Sequence, residues 1–253
     1  MKNNVEAISA HNSEQQEWLT SLVSSKDTGC VLDIGCADGL FLRWLSGQNN
    51  KLRAKFIGLS PGIGTHTDPV DARISYVSTK VIDKIDYPDK YFTLVHSNNV
   101  FECFTDPEKV VEEINRVLKP SGKIVISHYD WGTQLYNSDN VENTRKILNA
   151  YSDWEQNWMD ASDGWMGRKL WGLLQATGDF TGQVLTHTFV ETTYTEEDFG
   201  YHRIQDMKEL VKTGAITDQE YQTFLTEQTK LAQTGKYFYS LTNFAYVGVS
   251  KSW

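Results

Sequence analysis

The chain has 253 residues, 40% of them hydrophobic, which is enough to bury a sizeable core in one large domain or in a domain with a small lid. Its 24 Lys+Arg against 33 Asp+Glu give a net charge of −9, and the basic residues form no block. These values argue against a nucleic-acid partner, because phosphate binding depends on clustered Lys and Arg.

Strands and helices alternate through the first half of the chain. Ser13 and Gln16 have capping-box spacing and, with the apolar stripe after them, predict a helix that ends near Ser25. Short apolar runs predict strands at residues 30–34, 55–59, 74–77, 91–96 and 123–127. A tight turn at 35–39 leads into a helix, and a second helix runs from Asp106-Pro107 to Leu118, where residues 120–122 break it. This alternation is typical of a doubly wound α/β fold.

The pattern changes after residue 128. Residues 129–177 are helical in tendency and rich in tryptophan, with Trp154 and Trp158 at i, i+4 spacing and a second stripe formed by Met166, Leu170 and Leu173 or Leu174. Further strands are predicted at 183–193 and 236–251, with two helices between them that Gly214 separates. We therefore expect a single domain with inserted helices.

Apolar runs such as residues 124–126 are far shorter than the roughly 20 residues of a membrane span. The first residues, MKNN, lack the apolar stretch of a signal peptide, so we expect a soluble, cytoplasmic protein without a membrane partner. The three cysteines, Cys30, Cys36 and Cys103, are too few and too scattered for a disulfide framework or a metal site. Reduced thiols and no bound metal are therefore expected.

The turn after the first strand is the first candidate for a ligand site, because ligands of open α/β sheets bind outside the carboxyl ends of the strands. It reads VLDIGCADG at residues 31–39. Glycines let the backbone approach a ligand, and the following helix presents free N–H groups. A nicotinamide-binding loop would read G-x-G-x-x-G, whereas this loop is G-x-A-x-G with an acid two residues earlier. The spacing therefore argues against a nicotinamide oxidoreductase.

The segment VLDIGCADG resembles motif I of the class I S-adenosylmethionine-dependent methyltransferases. Residues 101–107 (FECFTDP) and 113–122 (EINRVLKPSG) resemble the region that follows the family's fourth strand. Residues 128–133 (HYDWGT) and 167–170 (GRKL) resemble the D-W-D-T and G-R-R-L segments of the small-molecule enzymes related to ubiquinone and menaquinone biosynthesis. The resemblance covers most of the chain.

The resemblance implies a Rossmann-like, seven-stranded, mostly parallel sheet with helices on both faces, ending in an antiparallel hairpin of the last two strands. A cofactor-binding core would span residues 1–128, an inserted aromatic-rich helical lid 129–180, and the strands and helices that complete the sheet 181–253. The implied activity is methyl transfer from S-adenosylmethionine to a small organic acceptor at N, O or C, with S-adenosylhomocysteine as product.

The implied cofactor contacts follow the strand order of the family. Asp33 and the loop residues Gly35, Cys36, Ala37 and Gly39 would hold the methionine end. The ribose would meet Ser60 and Pro61, the adenine Thr79 and Lys80, and the transferring methyl group Ser97 and Asn98. An alternative interpretation of Asp33 is an acid that only orients the loop.

Two positions depart from the family pattern. Ser60 stands where an acid usually binds the ribose hydroxyls, and Thr79 and Lys80 stand where an acid commonly meets the adenine, although Asp83 is an alternative there. Replacing a bidentate charged contact with a hydroxyl costs about 1 to 2 kcal/mol, which weakens binding roughly ten-fold. Ala37 in place of the middle glycine is a small change.

Methyl transfer from a sulfonium is an in-line displacement that needs alignment, exclusion of water and, for some acceptors, a general base. His128, at the end of the fifth predicted strand, is the best-placed base, with Tyr129 beside it, and His96 ends the fourth strand. For each histidine the alternative is a packed, hydrogen-bonded side chain without a catalytic role.

The aromatic insert has two interpretations. Its side chains pack the inserted helices onto the sheet, or they form a lid that offers flat walls to a planar or cationic acceptor. The substrate-binding candidates are Trp131, Asn99, Trp158, Trp165 and Arg168. Arg168 either pairs with Asp163 or binds an anionic substrate group. The excess of acidic residues in the insert mildly favours a neutral or amine acceptor.

Two other functions stay open at this point. The fold could bind S-adenosylmethionine and catalyse a reaction without methyl transfer, or it could be a catalytically idle binding protein, which the missing acids at Ser60 and Thr79 would suit. In each case the expected partner is a small molecule, and a homodimer is left open.

Overall fold

The computed structural model describes residues 9–23, 29–48, 54–61, 71–79, 84–157 and 159–251. The chain divides into two compact units. The first comprises residues 1–15, 129–165 and 186–243, and the second comprises residues 16–128, 166–185 and 244–253. Among the described residues, no helix combines the length and hydrophobicity that a membrane crossing requires.

Eight strands lie within the described residues. In chain order they are β1 (Cys30–Ile34), β2 (Lys55–Ser60), β3 (Ile74–Ser78), β4 (Phe92–Asn98), β5 (Leu118–Tyr129), β6 (Leu135–Tyr136), β7 (Phe180–Glu191) and β8 (Tyr239–Ser250). The helices are α1 (Ser9–Ser21), α2 (Leu40–Gly47), α3 (Pro107–Val117), α4 (Val141–Ser152), α5 (Met166–Ala176), α6 (Phe199–Asp206), α7 (Glu209–Thr213) and α8 (Asp218–Gln233).

The strand order is β3-β2-β1-β4-β5-β8-β6, and β7 pairs with β8. In the second unit the first five strands are parallel, which brings the carboxyl ends of β1, β2 and β4 to one edge. Lys251 N donates to Asp179 O, and a Cβ at Gly182 would lie 2.6 Å from Val247 O, so β7 and β8 run antiparallel there. The predicted α/β Rossmann-like, mostly parallel fold is confirmed, with the two-residue β6 as an eighth strand.

The second unit has apolar residues on both faces of its sheet. Leu32 and Ile34 of β1 belong to one buried cluster, and Val31 belongs to another, with Phe41 and Leu42 of α2. Two buried faces explain why these strands read as continuous apolar runs rather than as alternating ones. The predicted stripe on α5 is confirmed, because Met166, Leu170 and Leu174 are all buried; these three join the first cluster.

Two predictions about the ends of elements were wrong. The first helix begins at Ser9 and ends at Ser21, so Ser13 lies inside it and does not cap it. Near its end the hydroxyls of Thr20 and Ser21 donate to backbone carbonyls, an alternative bonding pattern that competes with further helix. The segment at 120–122 is part of β5, where the pairing register shifts and Ser121 has φ +59°, so it forms a bulge and does not separate helix from strand.

The first unit has an aromatic core, with Tyr136, Tyr221, Phe224 and Tyr239 among its buried side chains. Three helices, not two, lie between β7 and β8, and Gly214 ends the short α7 with φ +77°. The prediction that Trp154 lies on a helix was wrong, because α4 ends at Ser152. Its predicted helical neighbour, Trp158, lies outside the described residues.

Candidate functional site

The loop between β1 and α2 is held against the end of β2. The backbone N–H groups of Gly35 and Cys36 both donate to Leu59 O, at 2.8 and 3.0 Å, and Gly39 N donates to Cys36 O at 2.7 Å. Gly35 and Gly39 have φ of +72° and +74°, a left-handed conformation that favours glycine. The predicted tight turn at 35–39 is confirmed.

Neighbouring side chains leave no space for a Cβ at either Gly35 or Gly39. A Cβ at Gly35 would overlap the side chain of Val100, and one at Gly39 would overlap the ring and hydroxyl of Tyr76. Between them Ala37 has φ +45°, so the alanine that replaces the family's middle glycine adopts a strained backbone. Ala37 and Asp38 are exposed, and the tip of the loop is therefore accessible to a ligand.

Asp33 is fixed from the neighbouring strand. Its carboxylate Oδ1 lies 2.7 Å from Nδ1 of His96, which is opposite it in the β1–β4 register. Both side chains are buried, and the imidazole stacks on Phe41 of α2 with ring centres 3.6 Å apart. His96 Nε2 is buried without a partner among the described residues. Because His96 is buried and held between Asp33 and Phe41, its geometry suits a residue that positions Asp33. It suits a residue that contacts a substrate less well.

Polar side chains converge where β4 and β5 end. Ser97 Oγ donates to Ile34 O at 2.9 Å, and Ser127 Oγ donates to Asn98 Oδ1 at 2.9 Å. Asn99 N donates to Ser127 O, and Asn99 has φ +54°, a conformation that asparagine tolerates better than most residues. Asn98 and Asn99 are partly exposed. The structure thus brings Ser97, Asn98 and Asn99 to the same edge as the loop, as the strand pattern predicts.

The ends of β2 and β3 meet at this edge as well. Thr79 N donates to Ser60 O at 3.0 Å, which joins the predicted ribose and adenine positions. Ser60 is buried and Pro61 exposed. Lys80 and Asp83, the other predicted adenine contacts, lie outside the described residues.

His128 is fully buried near the end of β5, and its Nε2 lies 3.8 Å from Oε1 of Glu102. Glu102 belongs to the 3₁₀ turn at Phe101–Cys103 and is itself 8% exposed. Glu102 is not among the residues that the sequence motifs indicate, although an acid inside the otherwise apolar FECF segment is itself a sign of a functional residue. A carboxylate beside a buried imidazole is an arrangement suited to proton transfer.

The thiol of Cys36 is an unreactive part of the loop. Burial, together with the nearby Asp33 carboxylate, raises the pKa of Cys36 to about 12. Burial also raises the pKa of Cys30. Both thiols therefore stay protonated near neutral pH, and neither is suited to act as a nucleophile.

Tyr129 and Trp131 belong to the first unit. Tyr129 is buried, which raises the pKa of its hydroxyl well above the usual range, and its ring centre lies 5.4 Å from that of Trp131. Trp131 N donates to Gly164 O at 2.8 Å, so Trp131 and the turn that precedes Trp165 are adjacent. Trp165 is 49% exposed.

Arg168 lies on α5 in the second unit and is exposed. Asp163 lies in the first unit and accepts a hydrogen bond from Trp165 N. The structure describes these predicted substrate residues in two separate units, and it does not describe Trp158.

A cavity of about 720 Å³ opens at the opposite, amino-terminal ends of β2 and β3. Its lining includes Lys55, Arg73, Tyr87 and Tyr91. It contains none of the residues singled out by the sequence motifs, so the carboxyl edge remains the candidate site.

The residues at the carboxyl edge suit a nucleoside cofactor with a polar tail. The exposed tip at Ala37 and Asp38 offers backbone groups in a left-handed turn, and Asn98 and Asn99 add partly exposed amides beside it. Ser60 and Thr79 supply hydroxyls where β2 and β3 end.

Comparisons with known proteins identify the family of the chain. Residues 11–176 match a family model described as a methyltransferase domain. A malonyl-[acyl-carrier protein] O-methyltransferase of Hahella chejuensis is 31% identical over 120 residues, which cover 45% of this chain and 42% of that protein. The chain thus spans less than half of the length of this curated relative.

Solved structures share the fold at low sequence identity. A Bacillus halodurans protein, BH2331, has a TM-score of 0.60 at 16% identity over 94% of this chain and 100% of its own. Phosphoethanolamine N-methyltransferase 2 of Haemonchus contortus, solved with S-adenosyl-L-methionine, has a TM-score of 0.52 at 17% identity, covering 94% and 53%. The [4+2]-cyclase SpnF has a TM-score of 0.54 at 14% identity, covering 94% and 80%.

Proposed function

The chain belongs to the methyltransferase-domain family, and from that premise we propose that it transfers a methyl group from S-adenosylmethionine to a small organic acceptor. The observation that carries the proposal is the loop after β1. Its left-handed residues Gly35, Ala37 and Gly39 turn the backbone at the carboxyl edge of the parallel strands and leave an exposed tip. This edge is where open α/β sheets bind their ligands.

In the proposed complex the backbone of residues 35–38 holds the methionine end of the cofactor, and Ser60, Pro61 and Thr79 lie along the nucleoside. Lys80, which the structure does not describe, is proposed for the adenine by resemblance alone. Asp33, fixed by His96, keeps the loop in its binding conformation. When bound, the cofactor would supply an electrophilic methyl group: the acceptor would attack the methyl carbon in line, the C–S bond would break, and the thioether S-adenosylhomocysteine would leave.

The remaining residues act on the acceptor. Ser97 and Asn98 line the methyl group, and Asn99 and Trp131 orient the acceptor, with Trp158, Trp165 and Arg168 as further candidates. His128 takes the acceptor's proton where the acceptor carries one, and Glu102 stabilises the imidazolium that results. Tyr129, whose hydroxyl stays protonated, donates a hydrogen bond and does not act as the base.

Isothermal titration calorimetry with S-adenosylhomocysteine tests cofactor binding, and Ser60→Asp is the matched variant. We expect binding by the native chain and binding about ten-fold tighter in Ser60→Asp, because a carboxylate then accepts from the ribose hydroxyls. Absence of heat with either the cofactor or its demethylated product at millimolar concentration would identify the idle binding protein.

Transfer itself is tested with S-adenosylmethionine that carries a labelled methyl group, incubated with a panel of small amines, phenols and carboxylates. Label in the product supports the proposal.

A second function is a reaction that uses the bound cofactor without transferring its methyl group, and the fold similarity to a cyclase makes it worth testing. Cofactor binding together with product formation, but without label transfer, would favour this second function.

The acceptor is proposed to be a small molecule, without a nucleic-acid or membrane partner, and a homodimer is compatible with the proposal. A cytoplasmic location is supported by Cys30 and Cys36, whose thiols form no disulfide bond within the part of the chain that the structure describes. Fractionation of cells that express the tagged full-length protein tests the location.

A further inference from the structure

Helix α6 carries an arginine into the aromatic core of the first unit. The guanidinium carbon of Arg203 lies 4.5 Å from the ring centre of Phe199, and Nη1 of Arg203 lies 3.4 Å from the hydroxyl of Tyr151. The ring centre of Phe199 is in turn 5.8 Å from that of Tyr129 and 6.3 Å from that of Tyr239. We call these four aromatic residues the Arg203 cage. The roles proposed above for the first unit's residues do not use Arg203.

Of the three guanidinium nitrogens of Arg203, two have partners and Nε has none among the described residues. Its Nη2 lies 3.0 Å from Asp206 Oδ2, and its Nη1 donates to Tyr151 Oη at 3.4 Å. Its Nε is buried and has no partner among the described residues. Buried donors nearly always find an acceptor, so an unsatisfied one inside a core indicates a place for a missing acceptor.

Other polar groups of the first unit are also buried without a hydrogen-bond partner among the described residues. Within the part of the chain that the structure describes, neither polar atom of the Asn243 amide has a partner, and neither does the Tyr237 hydroxyl. Asn243 is fully buried on β8, one residue after Thr242, whose carbonyl accepts from Asp130 N. That bond links β8 to the residue that follows Tyr129, a member of the Arg203 cage. The first unit therefore holds several buried polar atoms that have no partner within the described residues.

The chemistry of the Arg203 cage selects the charge of the ligand. Ring faces attract cations, but the guanidinium already occupies the face of Phe199, so a cationic amine would meet a like charge at short range. A carboxylate matches the planar N–H donors of arginine. The excess of acidic residues in the insert mildly favours an amine acceptor. The position of Arg203 against Phe199 favours a carboxylate instead.

The charges around Arg203 also favour a single negative charge over two. Asp206 lies beside the guanidinium, and Glu191 caps the same helix by accepting from Phe199 N and Gly200 N. These carboxylates repel an incoming anion. The repulsion, like the desolvation that aromatic surroundings impose, is larger for a dianionic phosphate than for a carboxylate.

We propose that the first unit binds a small aromatic or otherwise planar carboxylate, whose carboxyl group accepts a hydrogen bond from Arg203 while the Arg203 cage flanks its body. The side chain of Arg203 is 22% exposed, which gives a ligand access from solvent. Trp131, a predicted substrate residue, lies 5.4 Å from Tyr129 and 5.5 Å from Tyr151 between ring centres, so it borders the same site. Identifying this carboxylate with the methyl acceptor rests on the proposed function, whereas its binding does not.

The test is calorimetric titration of the full chain, without cofactor, using benzoate, indole-3-acetate, phenyl phosphate and benzylamine. We expect a carboxylate to bind more tightly than the phosphate and the amine. Arg203→Met and Arg203→Lys should each weaken carboxylate binding at least about ten-fold, the second because lysine keeps the charge but lacks the planar fork. Lys212→Met, which removes an exposed cation on α7, should leave it unchanged.

Asp206→Asn separates a binding role from a structural one. If Arg203 binds an anion, removal of the competing carboxylate tightens carboxylate binding several-fold; if Arg203 only pairs with Asp206, this variant is destabilised and binding does not improve. Circular dichroism melting of each variant shows that it folds. The proposal is overturned if no carboxylate binds up to about 10 mM, if benzylamine binds as tightly, or if both Arg203 variants bind normally.

Failure of this proposal is distinguishable from failure of methyl transfer. A chain that binds a carboxylate but not S-adenosylhomocysteine overturns the proposed function alone. A chain that methylates an amine and ignores every carboxylate overturns the Arg203 site alone.

Discussion

Asp33 and His96 form a buried pair across two adjacent parallel strands, with Oδ1 of the acid 2.7 Å from Nδ1 of the imidazole. The two residues are 63 positions apart in the chain, so the contact is a product of the fold. It ties the acid that precedes the glycine loop to the strand that supplies Ser97 and Asn98.

Replacing His96 with leucine should lower the free energy of unfolding by about 2–3 kcal/mol, because the buried Asp33 carboxylate loses its partner. Urea denaturation measures the change. Asp33→Asn and the Asp33→Asn/His96→Leu double variant complete a cycle, and the double variant should cost less than the sum of the two single changes. Simple additivity would show that the pair is not coupled.

The close contact between Gly39 and Tyr76 predicts that Gly39→Ala disrupts the loop. The positive φ and the overlap of the new Cβ with the tyrosine ring should together cost about 2–4 kcal/mol and abolish cofactor binding at micromolar concentration. Gly47→Ala is the matched control, since nothing lies within 4 Å of its Cβ position. Calorimetry with S-adenosylhomocysteine and thermal melting report both effects, and equal behaviour of the two variants would contradict the prediction.

Ala37→Gly should leave the protein as stable or raise its stability by about 1 kcal/mol, because glycine adopts the left-handed backbone of this position without strain. Ala150→Gly, within α4, should instead destabilise by about 1 kcal/mol. Thermal denaturation compares the two. A loss of stability in Ala37→Gly as large as in Ala150→Gly would show that the loop carries no strain at Ala37.

His128→Ala should lower kcat for a proton-bearing acceptor by about 10²- to 10⁴-fold, as expected for loss of a general base. Glu102→Gln should lower kcat less, because the nearby carboxylate no longer stabilises the imidazolium that forms. His187→Gln, which alters a surface histidine paired with Glu14, is the control. An unchanged kcat in Glu102→Gln would remove Glu102 from the proposed mechanism.

Hydrogen bonds from Arg73 hold the pKa of Asp71 well below its usual range, so Asp71 stabilises the fold at neutral pH. The same arginine donates to Ser46 O near the end of α2 at 2.8 Å, which joins α2 to β3. Asp71→Asn should therefore cost about 1 kcal/mol at pH 7, and the difference should shrink as the pH falls below about 4.

Urea denaturation of the native chain and of Asp71→Asn, at pH 7 and below about pH 4, measures the difference in their free energies of unfolding. Glu112→Gln, at an exposed position on α3, should show no such pH-dependent difference. A gap between native and Asp71→Asn that persists or widens in acid would contradict the assignment.

Much of the second unit could be predicted from the sequence, because its strands are buried on both faces and stand out as apolar runs between turns. The range 30–34 for β1 is confirmed, and the N-cap at Asp106 forms as predicted, with its carboxylate accepting from Lys109 N. The ends of β5 could not be predicted, because a proline, a serine and a glycine are typical of turns and only the pairing with β4 turns them into a bulge.

The partners within the candidate site are harder to predict than its position. The pattern places Asp33, His96 and His128 at strand ends, but the pairing of Asp33 with His96 depends on strand register, and that of His128 with Glu102 on a turn after β4. Arg203 carries little local signal, since only Phe199 is near it in the sequence and the other three members of the Arg203 cage come from three separate segments. The roles of the predicted site residues remain predictions.

The high pKa of Cys36 has a practical consequence for the durability of the loop. At pH 7 only on the order of 10⁻⁵ of these thiols are ionised, and peroxide attacks the ionised form. A sulfur atom in the middle of the turn is thus shielded from sulfenic acid formation. The turn should keep its shape in aerated buffer without added reductant.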